Sequence, residues 1–217
     1  RDSNINVTGL GYRGGRDGHS GDNGLGPGGG GLYSGGGHGG AGGSWNNNNL
    51  GGIQNGSVEQ PVELGSGGGR GSSGISTGGR GGGAIKIVTS GDIEVAGNIL
   101  ANGVVGTDSF YVGGGAGGSI WLDAGGQMRG AGIIRANGGD QIVSGSGGAG
   151  GRIALYYGSN TFSGTITANG GAGSSLGQAG GAGTIWQQNV ASGAKLLAIS
   201  NGNVGNSNNP ITRIEES

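Results

Sequence analysis

The sequence predicts an all-β fold: a glycine-rich parallel β-helix (β-solenoid) of about three to four coils, in units of about 33 residues, with no α-helix. Three observations predict it. A short apolar phrase recurs in one register, as Ile85-Lys86-Ile87, Ile120-Trp121-Leu122, Ile153-Ala154-Leu155 and a weaker Ile185-Trp186-Gln187, at spacings of 35, 33 and 32 residues. A second phrase follows each of the first three and ends in Ala101-Asn102-Gly103, Ala136-Asn137-Gly138 and Ala168-Asn169-Gly170, at spacings of 35 and 32. Glycine makes up 65 of the 217 residues, against about 7% in ordinary domains. Because glycine loses the most freedom on folding, such a chain either stays unfolded or has a backbone geometry that needs glycine. A period of about 20–50 residues marks a solenoid, and apolar alternation with period two marks strands.

The elements follow in order. Ile5-Asn6-Val7-Thr8-Gly9 fits the second phrase and predicts an N-terminal strand. Residues 1–83 then read as that strand plus a glycine-rich insertion or cap, 84–189 as the repeating solenoid, and 190–217 as a closing strand and polar tail, all in one continuous domain. From Gly9 to Gly83, 33 of 75 residues are glycine, with a triplet-like "GGGHGGAGG" at Gly35–Gly43. Two states fit this stretch: a flexible insertion, or packed segments of the polyproline II type, three residues per turn, bonded to one another. The punctuating Leu32, Tyr33, Trp45, Leu50, Ile53, Val62 and Leu64 favour packing.

The unit beginning at Ala84, "AIKIVTSGDIEVAGNILANG", holds three strand-like pieces, with Ile85/Ile87, Ile93/Val95 and Ile99/Ala101 on one face and corners at Gly91 and Gly97. Stacked coils align Ile85, Ile120, Ile153 and Ile185 in one inward column and Ile99, Ile134 and Ile166 in another. Asn102, Asn137 and Asn169 form a ladder in which each side-chain amide bonds the next. Each Asn-Gly is expected to take a left-handed turn. An antiparallel glycine-rich sandwich is the competing fold; recurrence across whole units favours the solenoid.

Composition narrows the function. The absence of a strict Gly-X-Y period, with only three prolines, excludes collagen. Charged residues are 11% and the net charge is −1, so nucleic acid and anionic membrane are poor partners. With no cysteine there is no disulfide, zinc-thiolate or cysteine nucleophile. No apolar run reaches the ~20 residues of a membrane span. Beginning at Arg1, the chain reads as a processed product or a segment of something longer.

The stretches "NINVTGLGY", "VELGSGGG", "GGGAIKI…GNILANG", "GGAGGSIWL…GIIRANGG" and "GGAGGRIALYY" resemble glycine-rich β-solenoid segments of very large secreted or cell-surface microbial proteins, over Asn4 to about Gln187. The tail "KLLAISNGNVGNSNNPI" is similar to a closing strand of such proteins. The resemblance implies an extracellular or cell-surface location and a structural or adhesive role, with no catalytic residues.

Candidate sites are few. Asp92 and Glu94, one pleat apart, are the nearest carboxylate pair for glycoside chemistry; solvated surface charge is the plainer reading. His19 and His38 read as exposed loop histidines rather than metal ligands. No Gly-x-Ser-x-Gly stands between strand and helix, and no Gly-Gly-x-Gly-x-Asp run marks a calcium solenoid. Trp121 and Trp186 take the outward position of the first phrase, with Ala154 between them and Lys86 before them, and Tyr156 and Tyr157 follow in the same unit. These four aromatics form a candidate ligand- or partner-contact strip; alternatively they pack beneath a glycine-rich cover. Asn6-Val7-Thr8 and Asn55-Gly56-Ser57 are sequons.

The expectation is therefore an extracellular structural or adhesive module without cofactor, metal or turnover chemistry. Its partners would be itself in a homo-oligomer or fibre, flanking domains of a longer chain, or surface glycans. A carbohydrate-binding, less readily carbohydrate-cleaving, β-helix is the alternative. An ice-binding face would need threonines recurring by unit, and Thr165 and Thr167 do not.

Overall fold

The computed structural model describes residues 4–16, 23–46, 48–71, 76–107, 111–141, 144–202, 204, 210 and 212–214. They contain ten strands and no helix. β1 (Ile5–Asn6), β4 (Asn98–Leu100), β6 (Ile133–Arg135) and β8 (Thr165–Thr167) form one sheet, parallel throughout. β2 (Ala84–Thr89), β5 (Ser119–Arg129), β7 (Arg152–Asn160) and β9 (Thr184–Asn189) form the other in parallel, with β3 (Ile93–Glu94) also on β5. β10 (Lys195–Ala198) pairs antiparallel with β9. Parallel neighbours need a long crossover, so the antiparallel sandwich is excluded. The chain is a parallel β-solenoid of about three turns with the ~33-residue spacing of its phrases.

The register is the one the phrases imply. Ile85, Ile120, Ile153 and Ile185 pair in sequence across one sheet, and Ile5, Ile99, Ile134 and Ile166 across the other. Apart from Ile5, which is exposed, these columns meet in a single core with Leu122, Leu155, Met128 and Val95, in which Ile120, Ile134 and Ile153 are completely buried. Ile166 and Ile185, at the last coil, are only partly buried. Alternation places these residues inside because successive side chains of a strand face opposite sides.

Between strands of successive coils the chain runs through polyglycine. In residues 113–118 the N–H groups of Gly113 and Ala116 bond to the carbonyls of Gly69 and Ser66. Those of Gly114 and Gly117 bond to Ser146 and Ala149, and those of Gly115 and Gly118 to Val104 and Ala101. Positions three apart therefore share a neighbouring segment, the signature of an extended helix with three residues per turn and no internal bonds. The next coil repeats the pattern: Ser146 and Ala149 bond to Tyr33 and Gly36, Gly147 and Gly150 to Gln178 and Gly181, and Gly148 and Gly151 to Gly139 and Ala136. The segments at 35–43, 65–69 and 78–83 belong to the same bundle, so the polyglycine runs of the long region are packed, whereas Leu50, Ile53 and Val62, expected to favour packing, are exposed.

Glycine is required here by close approach. A methyl group at Gly113 would strike the carbonyl of Ser34, one at Gly115 that of Arg80, and one at Gly118 that of Gly83. This also corrects the expected role of the Asn-Gly pairs. Gly103, Gly138 and Gly170 are not left-handed; each lies with its missing Cβ against the carbonyl of Gly115, Gly148 or Gly180.

The asparagine ladder exists with a different bond. Asn102 Oδ1 accepts the backbone N–H of Asn137 at 2.9 Å, and Asn137 Oδ1 that of Asn169 at 3.0 Å. The expected amide-to-amide contact is replaced by amide-to-backbone, because these N–H groups point along the stack where a strand ladder has ended and need an acceptor. Asn201 adds a rung of the same kind by accepting from Gly170 N–H at 2.6 Å.

Candidate binding surfaces

The outward side of the second sheet carries the predicted aromatic strip. Pairing brings Lys86, Trp121, Ala154 and Trp186 into one row and Val88, Asp123, Tyr156 and Gln188 into the next. The Lys86 ammonium sits 3.6 Å from the centre of the Trp121 ring, and Trp121 lies 6.2 Å from Tyr156. Lys195 approaches Trp186 at 5.4 Å. Tyr157 leaves the strip: one residue after Tyr156, it faces the opposite side and packs against the core. The strip is partly roofed. The Tyr156 hydroxyl donates to the Glu59 carbonyl at 2.8 Å, Arg152 Nε donates to the Asn55 carbonyl at 2.9 Å, and both indole N–H groups are buried. Burial, then the Glu59 carboxylate, raises the Tyr156 pKa.

Beneath this roof is a polar cluster invisible in the sequence. Ser119, Arg152 and Thr184 pair in register just before the isoleucine column, and all three are buried. His38, expected to be an exposed loop residue, is completely buried beside them. Its flanking glycines let neighbouring backbones close around the ring. His38 Nε2 lies 3.0 Å from Ser119 Oγ, Nδ1 lies 3.1 Å from Asn55 Oδ1, and Ser119 Oγ donates to the Glu63 carbonyl at 2.7 Å. Burial lowers the His38 pKa to about 4; the Asn55 contact opposes the shift and the Arg152 charge adds to it. Serine, imidazole and carboxamide in line match the order of a nucleophile, its base and its orienting group. Here the serine is sealed and its hydroxyl engaged, so the arrangement serves as a tie between the cover and the solenoid. Asn55, the asparagine of one sequon, also donates to the Gly37 and Ile53 carbonyls, at 3.3 and 3.2 Å. His19 lies outside the described residues.

Asp92 and Glu94 converge on one cation. Arg129 contacts Asp92 at 2.9 Å and Glu94 at 3.0 Å, and all three side chains are about half exposed. Asp92 also accepts the Gln127 N–H. The pair is thus engaged as a surface ion cluster. Among the described residues no three of His, Asp and Glu gather as a metal-ligand set, and no helix is long and apolar enough to cross a membrane. An open depression of about 420 Å³ lies between the ends of β7, β9 and β10, lined by Tyr157, Asn160, Gln187, Asn189 and Lys195 among others.

A second aromatic cluster joins loops of the polyglycine bundle; the sequence offers Tyr33 and Trp45 as packing residues but not Tyr111 or the convergence of the three. Tyr33, Trp45 and Tyr111 meet edge to face, with ring centres 5.7 Å (Tyr33–Trp45), 5.6 Å (Tyr33–Tyr111) and 5.3 Å (Trp45–Tyr111) apart. Tyr33 and Tyr111 both have left-handed backbones, with φ of 63° and 54°. Nothing in the local pattern of Tyr111 relates it to residues 33 and 45.

Compared with known proteins, the chain matches no family model, no curated protein and no solved structure.

Proposed function

We propose that this chain is a non-catalytic structural or adhesive module of an extracellular or cell-surface protein or filament, holding surfaces or copies of itself together. The observation that carries the reading is the difference between the two ends of the solenoid. At one end the edge strand is β10, which turns back antiparallel on β9 and breaks the parallel stack. At the other, β2 is an edge strand. Ser119 N–H bonds to the Gly83 carbonyl, so by the alternation of a parallel ladder Ala84, Lys86 and Val88 turn their backbone groups away from β5. Among the described residues these groups meet no backbone partner, and Val88 is 59% exposed. A free parallel edge is a template for strand addition. The sealed Ser119 and the Arg129-bound Asp92 and Glu94 support a role without turnover chemistry. The low charge and the resemblance of the residue pattern to secreted solenoids support the extracellular location.

Electron microscopy and sedimentation of the purified chain test this reading. Filaments or oligomers that Val88→Pro disperses without unfolding the module support assembly through β2, since proline is tolerated where its missing N–H faced outward. Release of sugar products from a polysaccharide would refute the non-catalytic reading. Carbohydrate binding is the second reading, favoured by the two aromatic clusters.

A further inference from the structure

We infer that Tyr33, Trp45 and Tyr111 form a binding site for a neutral saccharide, which would be the adhesive contact of the module; the inference rests on the adhesive reading above. The first argument is strain. A non-glycine residue in the left-handed region costs on the order of 1 kcal/mol or more. In this chain 65 residues are glycine, and seven described glycines take positive φ. Tyr33 and Tyr111 are the two described non-glycine residues that do so, and both bring their rings to the same Trp45. Glycine would relieve the strain at either site, so the tyrosine side chains have a use that outweighs it.

The second argument is chemical. All three aromatic residues remain partly exposed. Rings meeting at interplanar angles of 66°, 62° and 83° make a corner rather than a flat plate. The C–H face of a pyranose carries partial positive charge and fits the negative face of an aromatic ring. Beside Trp45, Asn46 Oδ1 accepts the N–H groups of both Asn48 and Asn49, which leaves the two donors of its amide directed elsewhere. Rings that stack on an apolar sugar face need no charge on the ligand, so the site takes an uncharged saccharide.

A glycan array of neutral and acidic oligosaccharides, followed by titration of any hit against the full chain, tests the site. The expected result is binding to neutral glycans, weakened more than tenfold in Trp45→Ala and in Tyr111→Gly. Tyr111→Gly suits the left-handed backbone, and a thermal melt matching wild type shows that lost binding is lost contact rather than unfolding. Sole binding to acidic glycans overturns the inference, as does binding that survives both Trp45→Ala and Tyr111→Gly. If binding disappears instead in Trp121→Ala or Trp186→Ala, this site is wrong while the adhesive reading stands. If no glycan binds, the inference fails and self-assembly carries the module's role alone.

Discussion

Asn102 and Asn137 are joined across one coil by a side-chain oxygen accepting a backbone N–H at 2.9 Å, and Asn137 passes the same bond on to Asn169. The ladder stands where each strand gives way to polyglycine, so it sets the vertical register of the bundle against that of the sheets. Asn137→Ala removes the acceptor and leaves the Asn169 N–H without its partner. The expected loss is about 1–3 kcal/mol, measured by chemical denaturation; Asn137→Asp, which keeps an oxygen at Oδ1, should lose less. Equal losses in the two variants would mean that the bond does not hold the register.

Glycine substitutions should divide sharply by location. Gly115→Ala drives a methyl into the Arg80 carbonyl, while at Gly91 the nearest atom to an added methyl is Thr89 Oγ1 at 3.7 Å. Overpacking costs about 1–3 kcal/mol and more where backbone must move. Gly115→Ala should therefore lower the unfolding midpoint strongly and Gly91→Ala hardly at all. Similar melts for the two would remove close approach as the reason for the glycine content.

Ile120→Asp should unfold the module and Ile120→Ala should cost about 2–5 kcal/mol, since Ile120 is completely buried between Ile85 and Ile153. Trp121→Ala, on the outward face and only partly covered, should leave the circular dichroism spectrum unchanged. A folded Ile120→Asp would overturn the assignment of strand faces.

Acid should loosen the cover. An unfolded histidine takes its proton near pH 6.5, and His38 in the fold near 4. Between these values the unfolded chain binds the extra proton, so stability is complete above pH 6.5, falls as pH drops through the window, and stops falling on this account below about 4. A shift of this size corresponds to about 3 kcal/mol. His38→Asn should be less stable at pH 7.5 and lack this component of the slope, as read from denaturation midpoints at several pH values. Parallel profiles for wild type and variant would show that His38 is not the titrating group.

The sequence by itself determined the period, the strands and their faces. The columns at Ile85, Ile120, Ile153 and Ile185 and at Ile99, Ile134 and Ile166 were legible because alternation is a local property of a strand, and because parallel stacking repeats it once per coil. The aromatic strip was legible for Trp121, Trp186 and Tyr156 by the same alternation, which also removes Tyr157 from it. Tertiary structure alone decided the partners of polyglycine: a segment without side chains carries no mark of which neighbour its N–H groups will meet. It also decided that His38 closes onto Ser119, 81 residues away, and that Tyr33, Trp45 and Tyr111 share one corner. Those contacts depend on how the bundle folds the long glycine-rich region back over the sheet, and the spacing of residues along the chain holds no record of that path.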